Sequence, residues 1–139
     1  MSVSTDDLRG VQLLSTLEDR ELRQIAANIN ERRVAAGDTI VGEGTGGVAF
    51  FFILDGEASV IVRGEEVATL KQGEYVGELA LLDPDGPRTA TVAAKGDMRL
   101  AAMSSWQFRP FVMEHPEVAW TLLARLARRL REAQRPVPA

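Results

Sequence analysis

Apolar residues near the N-terminus recur at the spacing of α-helices. Two stripes fall within residues 8–29: the first consists of Leu8, Val11 and Leu14, and the second of Leu22, Ile25, Ala26 and Ile29. Between the stripes, Ser15 and Glu18 stand three residues apart, which is the spacing of a capping box. The pattern therefore predicts two short helices over residues 8–29.

From residue 30 to residue 104, short strand-like runs alternate with glycines. Residues 49–54 are continuously apolar, as in a strand that is buried on both faces. Residues 57–63 alternate, with Ala58, Val60 and Val62 on one face, and residues 89–93 and 99–103 show a similar pattern. Many short strands at this spacing predict an antiparallel β-sandwich or β-barrel.

The C-terminal zone, residues 105–135, is helical again. Ser104 or Ser105 is placed to cap a first helix, and Pro116 fits the first turn of a longer helix that we expect to run to about residue 135. An apolar stripe follows the longer helix and consists of Ala119, Trp120, Leu123, Leu126, Ala127, Leu130 and Ala133. Such a stripe suits either a lid over the barrel or a seam between two copies of the chain.

Other side chains in this zone are expected to serve the structure. The arginine cluster, Arg125, Arg128 and Arg131, lies off the stripe and is expected on a solvated helix face. Trp106 and Trp120 are expected to pack in the core or in an interface, in preference to stacking on a base. His115, directly before Pro116, is expected at the corner between the two helices. Together the three zones predict one α+β domain over residues 1–139.

Composition narrows the classes of function. The length of 139 residues fits one domain, and 45% apolar and 26% charged residues are typical of a globular protein. With 16 Lys and Arg against 20 Asp and Glu, the net charge of -4 argues against a direct electrostatic grip on nucleic acid. The absence of cysteine and the single histidine exclude a disulfide framework, a thiol nucleophile and a multi-histidine metal site.

The sequence predicts neither a membrane span nor a secretory signal. No apolar run approaches the ~18–20 residues of a membrane span, and the first residues lack the basic and apolar regions of a secretory signal. We therefore expect a cytoplasmic, non-enzymatic domain that has no catalytic residues, no metal and no cofactor.

The segment that carries chemistry is residues 73–94, GEYVGELALLDPDGPRTATVAA. Gly77 precedes a run that suits a single helical turn, whose unpaired backbone N–H groups attract an anion. Glu78 carries an acceptor-only carboxylate, which suits a hydroxyl group better than an anion. Arg88, at the start of a predicted strand, can place its guanidinium on two oxygens of a phosphate. These three elements together describe a site for a sugar phosphate.

This segment resembles the phosphate-binding cassette of the cyclic nucleotide-binding domain family. The matching residues are Gly77-Glu78-Leu79-Ala80-Leu81 and then Pro87-Arg88-Thr89-Ala90-Thr91-Val92. The spacing of the loop between them is similar to that of the bacterial catabolite-activator branch, and the likeness extends over residues 8–134. The resemblance implies an antiparallel β-barrel of the jelly-roll type, with N-terminal helices and a C-terminal helical lid, that binds cAMP or cGMP.

The resemblance also implies a role for each matching residue. Glu78, next to Gly77, corresponds to the glutamate that accepts the ribose 2′-hydroxyl, and Arg88 to the arginine that pairs with the cyclic phosphate. Backbone N–H groups matching those of Leu79, Ala80 and Thr89 complete the phosphate cradle in the family. A threonine at the position of Thr89 occurs in cGMP-preferring members and also in bacterial cAMP binders, and we expect cAMP ahead of cGMP.

Three positions of the long C-terminal helix correspond to lid residues of the bacterial branch. Arg129 matches an arginine that pairs with the cassette glutamate, although a solvated helix charge is the alternative interpretation. Ala133 and Gln134 fall where that branch contacts the adenine base. The resemblance thus implies a sensor in which this helix closes on the nucleotide and signals to a protein effector.

Other functions stay open at this point. A structural Glu78–Arg88 ion pair would make the chain a degenerate fold that binds a protein and no nucleotide. A metal enzyme on a similar barrel would need several clustered histidines. A DNA-binding regulator would need a helix-turn-helix after the long helix, so we expect either a stand-alone regulatory domain or part of a longer protein.

Overall fold

The computed structural model describes residues 2–41, 49–83, 85–86 and 90–134. Its helices are α1 (Thr5–Arg9), α2 (Asp19–Asn28), α3 (Glu78–Leu82), α4 (Ser105–Glu114) and α5 (Pro116–Ala133), with a 3₁₀ turn at Gln12–Leu14. Its strands are β1 (Asn30–Val34), β2 (Thr39–Val41), β3 (Ala49–Asp55), β4 (Ala58–Val62), β5 (Glu65–Leu70), β6 (Tyr75–Val76), β7 (Thr91–Ala94) and β8 (Met98–Ser104).

The strands form two four-stranded sheets in which neighbouring strands are antiparallel. The order is β1-β8-β3-β6 in the first sheet and β2-β7-β4-β5 in the second. Helices flank the sheets at both ends of the chain, so the predicted α+β class with an antiparallel jelly roll is confirmed.

Strand β3 lies between two hydrophobic cores. Phe50 and Phe52 point into a core shared with the helices, whereas Phe51 and Ile53 point into a core between the two sheets. Since successive side chains of a strand point to opposite faces, a strand covered on both sides needs an unbroken apolar run. This is the arrangement predicted for residues 49–54.

The N-terminal helices differ from the prediction: the first helix, expected from Leu8 onward, covers Thr5–Arg9, and the second begins after another capping residue than Ser15. Helix α1 starts after Ser4, whose side chain accepts from the Asp7 N–H. The capping box predicted at Ser15 is wrong. Helix α2 is instead capped by Glu18, whose backbone N–H donates to the carboxylate of Glu21 at 3.2 Å. Ser15 instead follows the 3₁₀ turn, and its N–H bonds back to Gln12.

An ion cluster ties α1 to the edge of the first sheet. Arg99 of β8 donates from Nε to Glu31 Oε1 at 2.7 Å and from Nη2 to Asp7 Oδ2 at 3.1 Å. Hydrogen bonds from Arg99 lower the pKa of Asp7 to about 2. The carboxylate of Asp7 is therefore part of the native packing of α1 and also caps that helix.

Helices α4 and α5 meet at His115, as predicted for that residue. Gln107 accepts from the N–H of the α4 N-cap, Ser104, at 3.0 Å, and Pro116 is the first residue of α5. His115 Nδ1 lies 3.1 Å from Glu21 Oε2, so the corner also contacts α2.

The face that α5 turns inward differs from the predicted stripe. Val118 and Leu122 are buried, whereas Trp120 is 74% exposed and Leu123 and Leu130 are each 59% exposed. Trp106 of α4 is 77% exposed, so neither tryptophan belongs to the core of this chain. No helix in the described ranges is long and apolar enough to cross a membrane.

Candidate functional site

A cavity of about 470 Å³ opens beside α3, between the second sheet and the inner face of α5. Its apolar wall includes Val41, Val60, Ala68, Leu70, Val76 and Val92. The polar lining includes Glu78 and Arg129. A largely apolar cleft of this size with a few converging polar groups is typical of a small-molecule site.

The turn from β6 into α3 requires glycine at its first position. Gly77 has φ +105° and caps α3, and only glycine adopts this conformation without strain. A Cβ at this position would overlap the carbonyl oxygen of Ala49 and lie 3.3 Å from the Cα of Phe50. The backbone of the turn therefore packs directly on β3, and this contact sets the position of the next residue, Glu78.

Glu78 places a buried carboxylate in the cavity. The residue is 3% exposed, and its Oε1 accepts from Arg129 Nη1 at 2.9 Å. A carboxylate this deep is costly unless it is paired, and the guanidinium from α5 supplies the opposite charge. The side chain of Arg129 itself is 51% exposed, so it joins the buried acid to the solvent side of α5.

Tyr75 and Arg125 lie next to this pair. The Arg125 guanidinium carbon lies 5.6 Å from the centroid of the Tyr75 ring, and Tyr75 lines the cavity. Burial, followed by the negative charge of Glu78, raises the pKa of Tyr75, while the charges of Arg125 and Arg129 act in the opposite direction. The phenol therefore stays neutral at physiological pH.

The structure brings four of the predicted site residues to one cavity. Gly77, Glu78, Leu79 and Arg129 all line it, although 51 residues separate Glu78 from Arg129 in the sequence. Ala80 is the third residue of α3, in the same helical turn. Arg88 and Thr89 lie outside the described residues.

The other two predicted residues lie farther along α5. Ala133 is the last residue of that helix and Gln134 follows it, about one turn beyond Arg129, and both are exposed. Neither is among the described residues that line the cavity.

Sequence reasoning missed Arg125, which it assigned to a solvated face. In the structure Arg125 Nη2 donates to Gln12 Oε1 at 2.7 Å, in addition to its contact with Tyr75. Val118, Leu122, Arg125 and Arg129 follow one another at intervals of four, three and four residues and so share one face of the helix, but this spacing does not tell which face turns inward. Within the described ranges, no three His, Asp or Glu side chains are grouped closely enough to hold a metal ion.

Comparison with known proteins finds similarity to one family over most of the chain. The family model described as "Cyclic nucleotide-binding domain" matches residues 31–115. A cAMP-dependent protein kinase regulatory subunit from Yarrowia lipolytica is 41% identical over 104 residues, which cover 73% of this chain and 28% of the relative. The chain thus spans about a quarter of the length of that curated relative.

Two solved structures share the fold over most of the chain. Cyclic AMP-bound PfPKA-R superposes with a TM-score of 0.79 and is 26% identical, covering 92% of this chain and 44% of that one. The catabolite activator protein of Thermus thermophilus superposes with a TM-score of 0.76 and is 32% identical, covering 87% of this chain and 59% of that one.

Proposed function

This chain belongs to the cyclic nucleotide-binding domain family, and we propose that it binds a cyclic purine nucleotide, cAMP ahead of cGMP, in the cavity beside α3. The observation that carries the proposal is the buried carboxylate of Glu78, held by Arg129 at the edge of an apolar cleft. A buried, paired acid in such a cleft offers an acceptor for a ligand hydroxyl next to a wall suited to a purine ring.

Each part of the ligand has a proposed partner in this chain. Glu78, positioned by Gly77, accepts the ribose 2′-hydroxyl, and Arg88 pairs with the cyclic phosphate. The backbone N–H groups of Leu79, Ala80 and Thr89 complete the phosphate cradle. The first two belong to the first turn of α3, where N–H groups have no partner within the helix.

The base is proposed to meet the C-terminal end of α5. Arg129 already bridges this helix to Glu78, and Ala133 and Gln134 follow one turn later, where a modest inward movement of the helix end brings them to the purine. Thr89 is the proposed contact that discriminates between the two bases.

We propose that the domain, residues 1–139, is a non-catalytic sensor. Nucleotide binding changes the partner of Glu78 and so shifts the position of α5, with a coupling free energy of about 1–3 kcal/mol. The relatives named above include a kinase regulatory subunit, which supports a protein effector downstream. The net charge of -4 supports a partner other than nucleic acid.

The outward face of α5 is proposed to join two copies of the chain. Trp120, Leu123, Ala127 and Leu130 lie on this face at intervals of three, four and three residues, the spacing of a helix–helix seam. Sedimentation should show a dimer for the wild type and a monomer for Leu130→Glu. Val67→Glu, at another exposed apolar residue, is the control, and a monomeric wild type would contradict the seam.

Calorimetric and thermal-shift titrations with cAMP and cGMP test the central proposal. A ligand that binds only the folded state stabilises it by about 2.7 kcal/mol at 100-fold excess over its Kd. We expect a clear shift for the wild type, a loss of that shift for Arg88→Ala and Glu78→Gln, and no change for Arg128→Ala, an exposed arginine on α5. Failure of both nucleotides to bind the wild type would instead favour a degenerate fold that binds a protein partner.

A further inference from the structure

The attachment of α5 to the rest of the domain changes in chemistry halfway along the helix. Its first half is anchored by Val118 and Leu122, which are 0% and 3% exposed. After Leu122, Arg125 and Leu126 are half-buried and Arg129 is exposed but reaches the cavity, and no further apolar side chain of the described helix is completely buried. In place of a completely buried apolar side chain, the second half makes two polar contacts to the rest of the domain, one from Arg125 and one from Arg129.

The first of these polar contacts joins α5 to the 3₁₀ turn and to a buried tyrosine. Arg125 donates to Gln12 Oε1 at 2.7 Å and places its guanidinium over the Tyr75 ring. The backbone N–H of Gln12 donates to the carbonyl of Gly73 at 3.0 Å, and Tyr75 is 3% exposed. We call Arg125, Gln12 and Tyr75 the Arg125 clasp.

The clasp and the site contact lie one helical turn apart on the same face. Residues four apart on a helix are neighbours, so the position of Arg125 sets the height and rotation at which Arg129 approaches Glu78. We propose that Arg125 is a positioning residue: its clasp fixes the second half of α5 so that Arg129 meets the carboxylate in the cavity.

The chemistry of the clasp suits a fixed anchor. Gln12 is a neutral acceptor, so its contact with Arg125 does not depend on the charge of the cavity. The Glu78–Arg129 pair is a contact between charges and responds to a ligand that engages either group. One turn of α5 thus carries a hydrogen bond to a neutral acceptor outside the cavity lining, and the next turn carries an ion pair inside it.

Pulsed EPR distance measurements without nucleotide test the clasp directly. The chain has no cysteine, so spin labels at Glu132→Cys on α5 and Glu65→Cys on β5 report only these two exposed positions. Labelled protein is diluted with unlabelled protein so that only distances within one molecule are read. We expect Arg125→Ala and Gln12→Ala each to shift or broaden the distance distribution, and the double variant to do no more than either one.

Arg128→Ala is the matched control, because Arg128 is an exposed arginine of the same helix. An unchanged distance distribution in Arg125→Ala would overturn the proposal, as would an equal change in Arg128→Ala. Gln12→Ala reaches the same contact from the 3₁₀ turn and keeps the test available if Arg125→Ala fails to fold.

The nucleotide titration adds a readout that loss of stability alone would not move. Insofar as it concerns affinity, this inference rests on the proposed function. We expect Arg125→Ala to weaken cAMP binding about threefold to tenfold, Arg125→Lys to recover part of that loss, and Arg128→Ala to bind as the wild type does. If the wild type binds neither cAMP nor cGMP, the proposed function fails, while the distance measurements still support or overturn the clasp.

Discussion

Replacing Gly77 by alanine should destabilise the protein more than the same substitution at a turn glycine that has free space around it. The residue has φ +105°, and an added Cβ would overlap the carbonyl oxygen of Ala49 on β3. Strand β3 cannot move away easily, because it pairs with both β6 and β8 and its Phe50 is completely buried. The turn must therefore lift off β3 and take α3 with it.

The cost of this substitution has two parts. A residue with a Cβ in the left-handed region costs about 1–2 kcal/mol, and overpacking against a fixed neighbour costs about 1–3 kcal/mol more. Gly77→Ala should therefore lower the free energy of unfolding by about 2–5 kcal/mol, as measured by urea denaturation. Gly64→Ala is the control, since Gly64 has φ +81° but nothing within 4 Å of the added Cβ, and only the first part applies.

The same variant should affect ligand uptake. Because Gly77 sets the position of Glu78, we expect the thermal shift with cAMP to be lost in Gly77→Ala under conditions where the variant is still folded, and to be kept in Gly64→Ala. An equal loss of stability in the two variants would show that the contact between Gly77 and Ala49 contributes nothing.

Three further predictions concern stability. Arg99 lowers the pKa of Asp7 from 3.8 to about 2, so its stabilisation is complete only well above 3.8 and is lost as the pH falls through about 2. Asp7→Asn should therefore cost about 1 kcal/mol at pH 6 and clearly less at pH 2, and an equal cost at both would contradict this. Leu122→Ala should cost about 2–5 kcal/mol and Leu123→Ala under about 0.5 kcal/mol in monomeric protein, by urea denaturation, since only Leu122 is buried; the reverse order would show that the other face packs inward. Gln107→Ala should lower the free energy of unfolding by about 1 kcal/mol, because the Ser104 N–H at the N-cap of α4 loses its acceptor. An unchanged midpoint of urea denaturation would show that this hydrogen bond does not stabilise the protein.

Local sequence features predict much of the fold because they act over a few residues. The unbroken apolar run 49–54 identifies a strand covered on both faces, and the structure places Phe50 and Phe52 on one side of it and Phe51 and Ile53 on the other. Pro116 fixes the start of α5, since a missing N–H costs nothing in the first turn of a helix. The run from Gly77 to Leu81 indicates the site, because the turn needs glycine and the acid follows it directly.

Capping was harder to place, since several residues in one stretch had the right spacing. Ser15 and Glu18 match a capping box better than Glu18 and Glu21 do, since serine is a preferred N-cap residue and glutamate is not. The 3₁₀ turn buries Leu13 and Leu14 in the core that the helices share. Ser15 caps the C-terminal end of this turn, so α2 begins later in the chain. Tertiary packing therefore overrode the stronger of the two local signals.

The sequence by itself determined where α5 begins, that it is amphipathic and that Glu78 stands at a turn, because each of these depends on neighbours along the chain. Only the tertiary structure decided which face of α5 turns inward. Leu122 and Leu123 are equally apolar, so their chemistry does not choose the buried face. An arginine at position 125 or 129 favours solvent unless the fold places a hydrogen-bond acceptor next to it. Those acceptors, Gln12 and Glu78, are 113 and 51 residues away in the chain, so no local pattern contains them.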